Sequence, residues 1–156
     1  MSEQHFTMLH KDDPISWAFM PYALDRITRF CVEHQTDMDG RELARIVGQS
    51  FLEDDPLMLC AVCYEKGVGV FAHALACIEN ITGNKFLTIL QMETDRPFAD
   101  RKALKRVWEQ FRAWGLKHMA GEARLVTRTP AQAKVFERYY GFKQLRIVMS
   151  KSLMEN

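Results

Sequence analysis

The fold of this chain is decided by residues 85–142, KFLTILQMETDRPFADRKALKRVWEQFRAWGLKHMAGEARLVTRTPAQAKVFERYYGF. The apolar spacing predicts four elements in order: a strand over 85–94, a helix over 101–119, a strand over 123–128 and a helix over 130–140. A strand, a helix and a second strand joined in this way require a right-handed crossover between two parallel strands. A helix start behind an irregular basic turn is also a recurring way to hold a phosphorylated cofactor.

The helix over 101–119 is amphipathic, and its two faces differ sharply in composition. Its apolar stripe consists of Leu104, Val107, Trp108, Phe111, Trp114 and Leu116. Its basic residues lie largely off that stripe, at Arg101, Lys102, Lys105, Arg106, Arg112 and Lys117. Asp100 is the expected N-cap of this helix, and Gly121 is expected to stop it. The stripe is therefore expected to pack on a sheet.

The short helix that follows has a complete start signal. Thr129 is the expected N-cap, Pro130 takes the first helical position and Gln132 the third, which together form a capping box. After Gly141 the chain is expected to return as a last strand over 142–153. Residues upstream of 85 extend the same alternation of helices and strands.

The amino-terminal part predicts one strand and two helices. His5 to His10 fits a first strand. Pro14 marks a helix start, but Pro21 is expected to interrupt it, so that a short turn precedes a helix from Pro21 to Glu33. The buried face of that helix is predicted to consist of Tyr22, Leu24, Ile27, Phe30 and Cys31. A second helix is expected after an Asp39 capping box, with Leu43, Ile46, Val47 and Phe51 on one side.

Three apolar strands follow, over 57–64, 68–79 and 85–94, and the short turns between them predict an antiparallel meander. The complete order is β-α-α-β-β-β-α-β-α-β, an α/β fold with a mixed sheet and helices packed in layers. With 156 residues and no linker or repeat, the chain is expected to form a single domain, 1–156.

Composition excludes several classes of protein. The formal net charge is +1, so no nucleic-acid or membrane partner is expected. No signal-peptide pattern and no apolar run of about 18 residues is present, and a cytoplasmic location is expected. Cys60 and Cys63 have the C-x-x-C spacing, but on a strand they point to opposite faces, so buried reduced thiols are expected instead of a metal site.

The order and spacing of these elements resemble the GNAT family of N-acyltransferases, which use acyl-coenzyme A. In that family the turn after the fourth strand carries Arg/Gln-x-x-Gly-x-Gly/Ala, whose glycines let backbone N–H groups approach the pyrophosphate. Anchored on Leu104, this chain has Arg96 at the first position, Ala99 in place of the first glycine and Arg101 in place of the second small residue. Pro97 offers no N–H.

Two interpretations of this loop are open. In the first, the side chains of Arg96, Arg101 and Lys102 replace the lost backbone donors and bind the phosphates of acetyl-CoA. In the second, they form a solvated basic face that Asp100 caps. The resemblance also implies cofactor contacts at Gln91 and Met92, and with Arg96, Ala99, Arg101 and Lys102 these complete the expected cofactor set.

The resemblance assigns the catalytic acid to the second helix. The family pattern Asn-x-x-Ala-x-x-x-Tyr-x-x-x-Gly-Phe carries the tyrosine that protonates the departing thiolate. Counting back from Gly141, Ala133 matches, but Glu137 stands at the tyrosine position. Tyr139 is the nearby alternative, although its spacing directs it to another side of the helix.

The expected general base is Glu93, at the end of the strand that splays toward the acyl group in the family. The alternative is that Glu93 is a solvated carboxylate at a strand end. His73 is interpreted as a hydrogen-bonded core or rim histidine, and Gln91 can only orient other groups. No metal-ligand spacing is visible.

Three functions follow from this resemblance. The first is an acyl-CoA-dependent N-acyltransferase acting on an amine-bearing small molecule or protein. The second is a non-catalytic structural or protein-binding component, as similar degenerate copies in bacteriophage genomes suggest, and the third is a CoA-binding sensor. The sequence is compatible with a homo-oligomer or a protein partner.

Overall fold

The computed structural model describes residues 4–96, 101–127, 129–144 and 153–154. It contains two compact units, Met1–Val126 and Thr127–Asn156. None of the described helices combines the length and hydropathy that crossing a bilayer requires.

Among the described residues, the first unit contains eight elements and the second contains one. In chain order they are β1 (Gln4–Met8), α1 (Pro14–Glu33), α2 (Gly40–Phe51), β2 (Met58–Glu65), β3 (Gly69–Ile81), β4 (Asn84–Thr94), α3 (Arg101–Lys117), β5 (Glu122–Leu125) and α4 (Pro130–Tyr140). The predicted order is confirmed for these nine elements. In the predicted last strand, residues 142–144 are not extended into a strand, and residues 145–152 lie outside the described part of the chain.

The sheet has five described strands in the order β1-β2-β3-β4-β5. Its first four strands are antiparallel, which confirms the predicted meander of β2, β3 and β4, and β4 pairs with β5 in parallel. The parallel register pairs Phe86 with Glu122 and Ile89 with Leu125, where the pairing ends. The predicted parallel pairing is confirmed, and β4 continues to Thr94 beyond the last pair. The predicted splaying of the two strands stays a prediction.

Helices cover both faces of this sheet, each over its own apolar core. One core joins α3, through Val107 and Phe111, to inward side chains such as Cys63 and Leu87. The other joins α1 and α2 to the opposite face, which includes Cys60. Cys60 and Cys63 therefore lie on opposite sides as predicted. None of the four cysteines forms a disulfide, and burial raises the pKa of the Cys60 thiol to about 12.

Helix α1 is a single helix, which corrects the prediction that Pro21 ends a short turn. Proline removes one backbone hydrogen bond from a helix interior. Here the buried residues on both sides of it, including Met20 and Ala23, pack on the sheet and carry the helix past that break. Tyr22 is 62% exposed, because it lies five residues, or about 140° of helical rotation, from the buried Ile27.

The ends and faces of the other helices need smaller corrections. Ile46 of α2 and Leu116 of α3 are exposed, although the sequence placed both on buried faces. α3 ends at Lys117, and Met119, not Gly121, adopts the left-handed conformation that closes it, with φ 62°. The Ala120 N–H then donates to the Gly115 carbonyl at 2.9 Å, as in a Schellman motif.

The predicted N-caps of α2 and α4 are confirmed. The Asp39 side chain accepts from the Glu42 N–H at the start of α2. Thr129 does the same for the Gln132 N–H at the start of α4, and Gly141, with φ 71°, ends that helix. Asp100, the predicted cap of α3, lies outside the described residues.

Candidate functional site

A one-residue bulge in β4 decides which side chains reach helix α1. Leu75 pairs with Gln91 and Ala76 with Ile89, so Leu90 is the extra residue between two paired positions. Side chains alternate along a strand, and an extra residue reverses that alternation. Leu87 faces the α3 core, yet Gln91, four residues later, faces α1 and donates to the Ile27 carbonyl at 3.2 Å. The bulge thereby directs the polar end of β4 toward α1.

Arg26 of α1 is the centre of the polar cluster that results. It is 6% exposed, and its two terminal nitrogens donate to the two carboxylate oxygens of Asp95 at 2.8 and 3.1 Å. Its Nε donates to His73 Nδ1 at 3.1 Å, and Nη2 lies 3.7 Å from Glu93 Oε1. The Arg26 guanidinium holds the pKa of Asp95 below its ordinary value, chiefly because Arg26 donates hydrogen bonds to the Asp95 carboxylate.

His73 is held neutral in a defined tautomer. Because Nδ1 accepts from Arg26, the ring proton is on Nε2, which donates to Gln91 Oε1 at 2.8 Å. Burial lowers the pKa of His73 to about 4. The sequence-based interpretation of His73 as a hydrogen-bonded core histidine agrees with this environment, and a buried neutral imidazole with both nitrogens engaged is not available as a base.

Glu93 is not a solvated strand-end carboxylate. Its Oε2 lies 2.7 Å from His34 Nε2, and its side chain is 24% exposed. His34 follows the last residue of α1, so this contact joins the end of α1 to the end of β4. Glu93 therefore has a cation at one oxygen and a histidine at the other.

Glu33 adds a second carboxylate beside this pair. Ligand atoms of Glu33, His34 and Glu93 lie within 4.8 Å of one another, a grouping that the sequence did not indicate. The 2.7 Å separation of His34 and Glu93 is a direct hydrogen bond with no space for an ion between the two atoms. Arg26 also supplies positive charge to Glu93, with Nη2 3.7 Å from Oε1.

Arg96, which the sequence assigned to the cofactor, is engaged with the sheet. Its guanidinium forms an ion pair with the buried Glu65 and lies 4.1 Å from the centre of the Phe71 ring. Asp95 and Arg96, at the start of the predicted cofactor loop, are thus both anchored by ion pairs. The phosphate role of Arg96 stays a prediction, and in this structure it competes with Glu65.

The remaining predicted cofactor residues are distributed along β4 and α3. Gln91 is 3% exposed with its amide engaged, and Met92 packs against the α3 core. Lys102 is exposed on the first turn of α3. Ala99 and the side chain of Arg101 lie outside the described part of the chain.

The two predicted acid residues belong to the second unit. Glu137 is exposed on α4, and Tyr139 is 41% exposed with the Arg138 guanidinium 5.5 Å from its ring centre. α4 has no fully buried residue. Their roles stay predictions.

Arg26, His34 and Asp95 are the residues that sequence reasoning missed. One signal for Arg26 is present in the sequence, since it lies between Ala23 and Ile27 at buried helical spacing. A buried arginine requires a carboxylate partner. Nothing in the sequence indicates which carboxylate, because the bulge at Leu90 selects it.

Comparison with solved structures identifies this architecture. The chain superimposes on a predicted acetyltransferase from Clostridium acetobutylicum, with acetyl-CoA, at a TM-score of 0.73 and 13% identity, covering 99% of each chain. It also resembles glucosamine-6-phosphate N-acetyltransferase from Arabidopsis thaliana, with a TM-score of 0.64 and 19% identity, covering 97% of this chain and 99% of that one. This is the GNAT fold.

A further example of the GNAT fold is AAC(6')-Iy in complex with the bisubstrate analogue CoA-S-monomethyl-acetylneamine, with a TM-score of 0.67 and 14% identity, covering 97% of this chain and 99% of that one. The sequence matches no protein-family model and no curated protein. The structural similarity establishes the GNAT fold. Because the sequence identities are low, the chemistry has to be argued from the residues of this chain.

Proposed function

We propose that this protein transfers an acyl group, acetyl in the first instance, from acyl-CoA to a primary amine. The observation that carries the proposal is that pairing between β4 and β5 ends at Ile89 and Leu125, whereas β4 continues to Thr94 and includes Glu93 in this unpaired stretch. Among the described strands, none pairs with this edge of β4 from Leu90 to Thr94. An unpaired strand edge offers N–H and C=O groups to an extended chain that contains amides, such as the pantetheine arm of CoA.

The charge at the start of α3 supports binding of the CoA phosphates. Lys102 and Lys105 are exposed there, and Arg101 begins the helix. A helix start attracts anions through its free N–H groups, and lysine and arginine side chains add point charges where the usual loop glycines are absent. We assign Arg101 and Lys102 to the phosphates. Arg96 would have to leave its ion pair with Glu65 before it could bind a phosphate.

The chemistry needs a proton acceptor near the amine and a proton donor near the thiolate. The amine nitrogen attacks the acyl carbonyl carbon, the C–S bond breaks, and the amine proton must leave. We assign Glu93 to the proton-accepting group, since its carboxylate is partly exposed and is held by Arg26 and His34. We assign protonation of the thiolate to Tyr139 or Glu137 of α4.

The acceptor class follows from the carboxylates at the rim. Glu33 and Glu93 favour a cationic amine over an anionic or neutral one. Three probes sample the range: neamine, glucosamine 6-phosphate and a lysine-containing peptide. The first and second are suggested by two of the structural neighbours, which are an aminoglycoside-analogue complex and a glucosamine-6-phosphate N-acetyltransferase. Neamine is expected to be the best of the three because it carries the most positive charge.

The test has a binding arm and a turnover arm. Isothermal titration and thermal shift with acetyl-CoA are expected to show binding and a raised melting temperature, since a ligand that binds only the native state stabilises it. Thiol release with the three amines is then measured. Binding without transfer would support the CoA sensor. Absence of heat and of stabilisation at millimolar acetyl-CoA would leave only the non-catalytic alternative.

A further inference from the structure

His34 occupies a distinctive position at the end of α1. It is the C-cap residue, and its backbone N–H donates to the Phe30 carbonyl at 3.0 Å. The Phe30 ring lies against the imidazole, with the ring centres 4.3 Å apart. The side chain is 33% exposed, so one edge of the ring is in contact with solvent while the other faces β4.

The hydrogen bond to Glu93 determines the tautomer of this imidazole. A carboxylate only accepts, so the 2.7 Å contact between Glu93 Oε2 and His34 Nε2 places the ring proton on Nε2. The lone pair of a neutral imidazole is then on Nδ1. Within the described residues, no group makes a hydrogen bond to Nδ1. A carboxylate that fixes one ring nitrogen and leaves the other as a lone-pair donor is the arrangement of a histidine base.

We propose that His34 Nδ1 is the atom that takes the proton from the acceptor amine, and that Glu93 orients this imidazole. This inference rests on the proposed acyl transfer. As the amine nitrogen forms its bond to the acyl carbon, its N–H proton moves to Nδ1, and the C–S electron pair departs with the thiolate. The thiolate gains a proton from its own donor, and the imidazolium releases its proton to solvent. The amide and free CoA are the products.

Two carboxylates and a helix end lie near His34. Glu93 supplies a hydrogen-bonded negative charge and Glu33 a second carboxylate nearby. The carboxyl-terminal end of α1 adds the negative end of the helix dipole. Arg26 opposes this through Nη2, but its guanidinium is paired with Asp95, and His73 on β3 is neutral.

The first test separates a base from a positioning residue. His34→Gln keeps an N–H that can donate to Glu93, whereas His34→Ala removes it. If His34 is the base, both variants lose about 100-fold or more in turnover, because general base catalysis contributes about 10²–10⁴-fold. Imidazole added to the buffer is expected to restore activity to His34→Ala. His10→Gln, which alters an exposed histidine in a loop, is the matched control and is expected to retain full activity.

The outcomes separate this inference from the proposed function. An active wild-type protein in which His34→Gln retains full activity would overturn the role of His34 as base and leave acyl transfer standing. A wild-type protein that binds acetyl-CoA but acetylates none of the three amines would remove both. Titration calorimetry of His34→Ala with acetyl-CoA is expected to give the wild-type affinity, since His34 acts on the amine.

The second test needs no turnover. Long-range ¹⁵N correlation spectra of the free protein report which nitrogen of a histidine carries the proton. His34 is expected to show a protonated Nε2 and a bare Nδ1, and Glu93→Gln is expected to weaken that preference. A proton on Nδ1 in the wild-type protein would overturn the proposal.

Discussion

Arg26 and Asp95 form a two-pronged ion pair, with Nη1 and Nη2 of the arginine 2.8 and 3.1 Å from the two oxygens of the aspartate. Arg26 lies on the buried face of α1, and Asp95 is the first residue beyond β4. The pair therefore joins the amino-terminal helix to the root of the predicted cofactor loop. Arg26 Nε also donates to His73, so that one guanidinium connects α1 with β3 and with the end of β4.

Arg26→Met is expected to destabilise the protein by about 1–3 kcal/mol, because it leaves the buried His73 Nδ1 without its donor. The free energy of unfolding in urea measures this loss. The matched control is Arg29→Met, which removes an exposed pair with Asp25 on the same helix. That control is expected to change stability by less than about 0.5 kcal/mol. Equal losses of unfolding free energy in the two variants would show that the buried cluster contributes no more to stability than the exposed pair of Arg29 and Asp25.

The pH dependence of stability follows from His73. Its pKa in the folded protein is about 4, against an ordinary value of 6.5. Above pH 6.5 the His73 imidazole is neutral in both the folded and the unfolded protein. Below pH 6.5 the unfolded protein binds the proton first. Stability is therefore expected to fall as the pH drops from 6.5 to 4, by up to about 3 kcal/mol. Asp95, whose folded pKa is lowered, adds a further loss below its ordinary value of 3.8.

His73→Gln is the variant that isolates this effect. Glutamine cannot titrate, so the slope of stability between pH 6.5 and 4 is expected to become shallower, whatever the variant does to stability at neutral pH. Urea unfolding at a series of pH values measures the slope. An unchanged slope would mean that another group binds the proton.

Two glycines of α2 are expected to respond oppositely to alanine. A Cβ at Gly40 would lie 2.7 Å from the Thr28 carbonyl of α1, so Gly40→Ala is expected to cost about 1–3 kcal/mol. A Cβ at Gly48 would meet nothing within 4 Å, and Gly48→Ala is expected to stabilise the helix by about 0.5–1 kcal/mol. Thermal melts of the two variants measure the difference. A destabilised Gly48→Ala would contradict the geometry of α2.

Affinity for acetyl-CoA is expected to depend on the first turn of α3. Arg101→Ala and Lys102→Ala should each weaken binding and reduce its dependence on salt concentration, because each removes a phosphate contact. Lys117→Ala, at the other end of the same helix, is the control and should leave affinity unchanged. Titration calorimetry at two salt concentrations measures both quantities. Wild-type affinity in all three variants would place the phosphates elsewhere.

The rate of acyl transfer is expected to be limited by the acid on α4. Glu137→Tyr should raise the maximal rate, within the 10²–10⁴-fold that general acid catalysis contributes, and should leave acyl-CoA affinity unchanged. A wild-type turnover already near 10 per second would show that another group supplies the proton. Tyr139→Phe then decides whether that group is Tyr139, since full activity in this variant would exclude it.

Local patterns in the sequence determined the elements and their order. Apolar periodicity located α3, capping residues located the starts of α2 and α4, and short turns predicted the antiparallel meander. These features depend on residues a few positions apart, which is the range over which helix and strand periods act. The same short range explains the errors at Tyr22 and Leu116. Both residues are apolar, but their angles around the helix place them on the exposed side.

The polar cluster depended on contacts that no local pattern encodes. Arg26 and Asp95 are far apart in the sequence, and so are His34 and Glu93. Glu93 was recognised as a candidate from the sequence, but its histidine partner was not. The reason is the extra residue at Leu90. One inserted residue reverses the faces of every side chain that follows it in β4, and only the pairing of β4 with β3 in the folded sheet shows where that insertion lies.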